Sequence, residues 1–244
     1  MKGTIRDLLR DYQLEDFAKG VKWRSVFLRR NLLGTDKKIC EDYFRHHPVK
    51  KLNIGCGRRL LNGWLNADFK PYSKKIICLD ATKPFPFNPA TFDYVYSEHM
   101  IEHISYAQGL RMLAECLRVL KPGGKIRVVT PDLYFITGLC RRDKSPLQTE
   151  YIKHATDRWM DERPPRYDAP FVVNNHFYSW GHQFLYDEET LRDSLLTAGF
   201  TNITQHELNE SDDQELRNLE NIYRMPEALY RGESFFLEGT KPGR

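Results

Sequence analysis

The segment Val49-Lys50-Lys51-Leu52-Asn53-Ile54-Gly55-Cys56-Gly57 decides the fold. Its short apolar run reads as a strand, and the run ends on two glycines one residue apart. At the carboxyl edge of a sheet, such a turn lets bare backbone approach a ligand, because glycine has no Cβ to clash. The residues just after the turn exclude two common ligands. Leu60 stands where a dinucleotide fingerprint needs its third glycine, and no Lys-Ser/Thr pair makes a phosphate-cradling loop.

Working outward, strand-like runs recur at Trp64 to Ala67, Lys75 to Leu79, Phe92 to Ser97, Lys125 to Thr130, Thr201 to Glu207 and Glu233 to Gly239. Helical spacing of Leu110, Leu113, Ala114, Leu117 and Leu120 predicts a helix from Ala107 to Leu120, stopped by Lys121-Pro122-Gly123-Gly124. A second helix opens at Asp187 and ends at Ala198-Gly199. Strands alternating with helices indicate a parallel sheet with crossovers. Residues 131–186 are too long for an ordinary connection and are rich in aromatics, Arg and Pro, so they read as a substrate-covering insertion. Upstream, Ile5, Leu8, Leu9 and Tyr12 recur at helical spacing, a basic helix continues to about Leu33, and Asp36 is placed to cap a third helix ending near His47-Pro48. Residues 1–48 are therefore expected to form a helical extension or lid, and residues 49–244 the main domain.

Composition narrows the function. The 244 residues are 41% hydrophobic and 29% charged, enough for a real core and unlike a disordered chain. Lys and Arg number 37 against 33 Asp and Glu, and the whole excess lies in residues 1–48. The remainder is neutral, so it lacks the basic stripe that tracking phosphates requires. The basic helix, with Lys19, Lys22, Arg24, Arg29 and Arg30 among apolar residues, reads as a solvated face, with peripheral membrane contact as its functional alternative. No apolar run approaches the roughly 20 residues of a membrane span. The five widely spaced cysteines form no C-x-x-C pair, which fits a reducing cytoplasm and no disulfide framework.

Four blocks in order carry a resemblance: KLNIGCGRRLLNGWLNADF (51–69), ICLDATKPFPFNPATFDYVYSEHMIEHIS (77–105), RMLAECLRVLKPGGKIRVVTPDL (111–133) and WGHQFLYDEETLRDSLLTAGF (180–200). Together they resemble the class I S-adenosylmethionine-dependent methyltransferases, most of all the small-molecule branch found in bacterial polysaccharide and natural-product pathways. The resemblance implies an α/β, Rossmann-like sheet of seven strands in the order 3-2-1-4-5-7-6, the last antiparallel, with helices on both faces. It implies S-adenosylmethionine as cofactor, held by Asn53, Gly55, Cys56, Gly57, Asp68, Asp80, Ala81 and Ser97. Asp68 would accept the ribose hydroxyls, and Asp80-Ala81 would read the adenine edge. Asn53 departs from the acidic residue that many members carry. Only about ten residues separate Gly57 from Asp68, so the first crossover helix must be short.

Methyl transfer is an in-line displacement whose chief task is alignment. An alcohol acceptor must also lose a proton, and a neutral histidine is the economical base near pH 7. His99 is the first candidate, then His182, then His176. Asp132, Tyr178 and Trp180 are candidate acceptor contacts, with Phe184 and Tyr186 as further aromatics that could exclude water. His99 and His103 share a helical face beside Glu98 and Glu102, but H-x-x-x-H alone is a thin metal signal and no metal is assigned. The expected function is O-methylation of a small-molecule or glycan hydroxyl in biosynthesis. N-methylation of an amine or peptide is the alternative, followed by RNA methylation and a non-catalytic cofactor-binding subunit. Against RNA, Ser97-Glu98-His99-Met100 stands where adenine-N6 enzymes carry Asp/Asn-Pro-Pro-Tyr/Phe. Against a non-catalytic role, Gly55, Gly57, Asp68 and Asp80 are all present.

Overall fold

A computed structural model describes residues 25–30, 32–160 and 163–243. The helical pattern around Ile5 to Tyr12 and most of the basic helix lie outside these residues. Seven strands are joined in one sheet: β1 (Lys51–Ile54), β2 (Leu65–Asp68), β3 (Ile77–Cys78), β4 (Phe92–Glu98), β5 (Leu120–Pro131), β6 (Thr201–His206) and β7 (Ser234–Thr240). Their order is β3-β2-β1-β4-β5-β7-β6, as the resemblance implies. β1 to β5 run parallel, and β7 pairs antiparallel with both β5 and β6.

Around the sheet, the described residues include α1 (Thr35–His46), α2 (Tyr106–Val119), α3 (Leu133–Gly138), α4 (Pro146–Trp159), α5 (Ala169–Tyr178), α6 (Glu188–Ala198) and α7 (Glu227–Glu233). Local chemistry sets their ends. Ser105 and Gln108 form a capping box at α2, and Ser145 and Gln148 form one at α4, where Pro146 takes the first helical position. The Asp187 carboxylate accepts from Thr190 N at the start of α6, and Gly199 closes it at φ 101°. α1 starts from Gly34, not Asp36. The Asp36 carboxylate instead binds Arg30, one of the basic-helix residues, and Cys78 N at 3.2 Å.

The period-2 alternation of the strands separates two cores. Leu52, Ile54, Val95, Ile126, Val128 and Leu237 face α1, α2 and α6. Tyr96, Val129 and Phe236 face α3, α4, α5 and α7. No helix forms between β1 and β2, where the sequence predicts a short one; residues 57–64 turn directly into β2. The second face is covered instead by the helices of residues 133–178 and by the chain after β6. β3 keeps two of the five residues expected of it, because exposed Lys74 and Lys75 precede it at the sheet edge.

The second face also holds a buried charge cluster. Arg127 on β5 is fully buried and donates to Glu220 (2.6 Å), Glu238 (2.7 Å) and the carbonyls of Glu207 and Glu210. Burial outweighs the attraction of Arg127 and pushes the Glu220 carboxyl above the ordinary carboxylate range.

Candidate active site

The first strand-turn sits at the carboxyl edge of the sheet. Gly55 N and Cys56 N both donate to Ala67 O of β2, at 2.9 and 3.0 Å, which folds the turn over that strand. Gly55 (φ 73°) and Gly57 (φ 55°) take left-handed backbone conformations. A Cβ at Gly55 would lie 2.3 Å from Met100 Cγ, whereas one at Gly57 would meet open space. Gly55→Ala is expected to cost about 2–4 kcal/mol through overpacking and backbone strain, read as a lowered urea midpoint.

That open space is a cavity of about 680 Å³ whose wall includes Gly55, Gly57, Asp68, Asp80, Ala81 and His99. Asp68, the last residue of β2, is held by two backbone donors, Gly57 N (2.8 Å) and Lys70 N (2.7 Å), one on each oxygen. Both oxygens keep lone pairs in fixed directions. Asp80 uses one oxygen for Thr82 N and Thr82 Oγ1, at 2.9 and 2.6 Å, which leaves Oδ2 for a ligand.

His99 directly follows β4 at φ 47°, a strained conformation for a non-glycine residue. It lies in the wall of this cavity and of a second one of about 640 Å³, lined by Arg58, Arg59, Glu98 and Arg224. Nδ1 of His99 is 3.3 Å from Glu102 Oε1, and Nε2 is 3.3 Å from Ser234 Oγ. Ser234 in turn contacts Glu233 Oε2 at 2.5 Å. Burial would raise the Glu102 carboxyl, but the adjoining His99 and His103 imidazoles outweigh it and hold the pKa at about 2. Glu102 is therefore a carboxylate, and it places a negative charge 3.3 Å from Nδ1 without an aligned hydrogen bond.

A family model described as a methyltransferase domain matches residues 52–128, the span from β1 into β5 that carries both aspartates and His99. Residues 52–128 thus carry a methyltransferase domain, and the sheet they belong to has the strand order that the resemblance implies. No curated protein matches the chain. Similar solved structures include a SAM-dependent methyltransferase from Archaeoglobus fulgidus (16% identity, 87% of this chain and 94% of that one, TM-score 0.49). A SAM-dependent methyltransferase from Thermotoga maritima (17% identity, 90% and 97%, TM-score 0.46) and one from Mesorhizobium loti (17%, 80% and 91%, TM-score 0.46) are further examples. At these scores they add nothing to the strand order itself.

The methyltransferase cofactor fits the first cavity. Asp68 presents two oriented oxygens for a diol, Asp80 a free oxygen for an amino group, and Gly57 a surface without a side chain. Asp68→Ala is expected to weaken binding of S-adenosylhomocysteine by about 10–150-fold, the worth of one or more hydrogen bonds to a charged group; isothermal titration reads it directly.

The sequence-predicted residues do not all gather here. Gly55, Gly57, Asp68, Asp80, Ala81, His99 and Trp180 line the first cavity, and Cys56 lines the second. Asn53 points to the opposite face of the sheet and donates to Asn66 Oδ1 at 3.0 Å, because alternate strand residues face opposite ways. Ser97 is buried, with no hydrogen bond to its Oγ. His176 is 1% exposed and meets Tyr151 Oη at 2.9 Å; burial lowers its pKa to about 4. His182 contacts His176 O through Nδ1 at 2.8 Å. Asp132 caps α3 by accepting from Tyr134 N, in a separate surface cleft. Tyr178 is 85% exposed. Tyr186 is buried in the core and meets Phe184 edge to face beneath α2, and neither lines the cavity.

Sequence reasoning misses two contributions. It treats Glu102 only as a metal neighbour, although the three-residue spacing from His99 is the signal for their contact. It also leaves the chain after β6 unconnected to the site. Glu98 accepts from Asn221 N (2.8 Å), Arg59 (3.3 Å) and Tyr230 Oη, binding that late segment to the first turn. Nothing in the local sequence announces this contact.

Proposed function

We propose that the enzyme transfers a methyl group to a hydroxyl of a small-molecule or glycan acceptor, with His99 as general base. The observation behind this reading is the position of His99, shared by the walls of both cavities and backed by the Glu102 carboxylate. Bound S-adenosylmethionine supplies an electrophilic methyl group on a positively charged sulfur. Asp68, Asp80 and the bare turn hold it, and the acceptor enters from the second cavity. As the acceptor oxygen attacks, its proton passes to His99 Nε2. Glu102 stabilises the imidazolium that results, and Ser234 links Nε2 to Glu233. Trp180 shields the reacting atoms from water, and residues 131–186 cover the acceptor.

Among the described residues no helix is long and apolar enough to cross a membrane, and all five cysteines are free. Free thiols fit a cytoplasmic enzyme.

The test is a transfer assay with labelled cofactor against sugar nucleotides, glycans, alcohols and phenols, with amines and RNA in parallel. Methylation of a hydroxyl acceptor is the expected result. Transfer to amines alone, or to RNA with steep loss of activity in salt, overturns the reading.

A further inference from the structure

His103 in the cavity wall lies beside Glu102, which base catalysis uses only as the partner of His99, and beside His182, which it does not use. Glu102 and His103 lie in the single 3₁₀ turn Ile101–His103 after β4, and His182 comes after α5 at the far end of the insertion. Ligating atoms of the three all lie within 4.8 Å of one another. Gln183 fastens the two segments together, since its backbone N donates to Glu102 O (2.7 Å) and its side chain to His103 O (2.9 Å). The His103 and His182 rings meet edge to face with centroids 4.8 Å apart.

Two further observations point to a ligand. Glu102 is fully buried, yet its Oε1 has no hydrogen bond; the His99 contact is close but poorly aligned. A buried carboxylate oxygen without a partner is costly unless something else meets it. Nδ1 of His182 lies 2.8 Å from the carbonyl of His176, where it donates and leaves Nε2 with its lone pair outward. Imidazoles that ligate metals are commonly fixed in this way, the other ring nitrogen donating to a backbone carbonyl.

We propose that Glu102, His103 and His182 bind one divalent cation of the zinc class at the edge of the cofactor cavity. Two imidazoles and one carboxylate suit Zn²⁺ or Co²⁺, whereas Mg²⁺ and Ca²⁺ prefer oxygen sets. Tetrahedral coordination needs ligand atoms about 3.4 Å apart, a separation that small side-chain rotations reach. Three protein ligands leave a position open, as in catalytic rather than structural zinc sites. His103 borders the cofactor cavity, whose wall it shares with His99, so an acceptor reaching from the second cavity past His99 to the cofactor would come near that position. There the cation lowers the pKa of the acceptor hydroxyl, and His99 takes the proton. This role rests on the hydroxyl-methylation reading; the binding does not.

The test uses the full chain, stripped with a chelator and dialysed, with neither cofactor nor acceptor added. Zn²⁺ is titrated calorimetrically, and Co²⁺ is followed by its visible ligand-field absorption. One equivalent is expected to bind, with the absorption of a low-coordinate Co²⁺ centre. His103→Ala and His182→Ala should each weaken binding by more than the roughly 10–100-fold typical of losing an outer partner. His99→Ala, outside the ligand set, should retain the site. His103→Gln and a thermal melt of each variant show whether loss of metal is merely loss of fold. No stoichiometric binding, or binding that survives both histidine-to-alanine changes, overturns the proposal. Stoichiometric metal on a protein that methylates no hydroxyl leaves the site standing and removes only its role.

Discussion

Arg127→Met is expected to lower the unfolding free energy by about 3–5 kcal/mol. Arg127 is fully buried, and its removal leaves the Glu220 and Glu238 carboxylates together in the interior without a cation. The loss does not measure what the cluster adds to stability. Burial already pushes Glu220 upward despite Arg127, so the intact cluster is costly to form and its main effect is geometric. Arg127 fastens the segment after β6 to the sheet through two carbonyls and Glu220. Urea unfolding of Arg127→Met, Glu220→Gln and Glu238→Gln, singly and combined, separates these effects. The triple variant should recover much of the stability that Arg127→Met loses, since neutral amides replace stranded charges. A small loss in Arg127→Met alone would mean that water or a rearrangement compensates the carboxylates.

His99→Ala is expected to reduce turnover at saturating acceptor by about 10²–10⁴-fold, the usual worth of a general base. Affinity for S-adenosylhomocysteine should change little if Asp68 and Asp80 carry the nucleoside, as proposed. A fall confined to kcat marks a group that acts in the transition state. Full turnover in His99→Ala would place the base elsewhere, with His182 next in line. A calorimetric titration of the same preparation shows that the cofactor site survives the substitution.

Much of this frame is legible in the sequence because its signals are local. The β1 run and its two glycines, the stripe of α2, and the Asp187 and Gly199 boundaries of α6 each state their structure within a few residues. Asp68 and Asp80 follow from strand ends and lie in one cavity. Legibility fails where partners are remote. The helices of residues 133–178 pair their apolar residues with a sheet face far away in sequence, and the aromatic and Pro-rich composition hides their periodicity. Asn53 reads as a cofactor contact because its position in the strand is clear but its facing is not. His176 and His182 both read as candidate bases, whereas contacts with Tyr151 and with the His176 carbonyl set their environments. The grip of Glu98 on Asn221 spans 123 residues, and no local pattern encodes it.

The way the second face is roofed limits how such an enzyme can diversify. Tyr151, Ile152, Ala155 and Val172 lie on the helices between β5 and α6 and are also core beneath the sheet. Transplanting that segment from a cousin of different taste would strip a whole hydrophobic layer, and the chimera would collapse before its selectivity could be measured. New acceptors are therefore reached by exchanging single side chains at the cavity rim rather than by swapping modules.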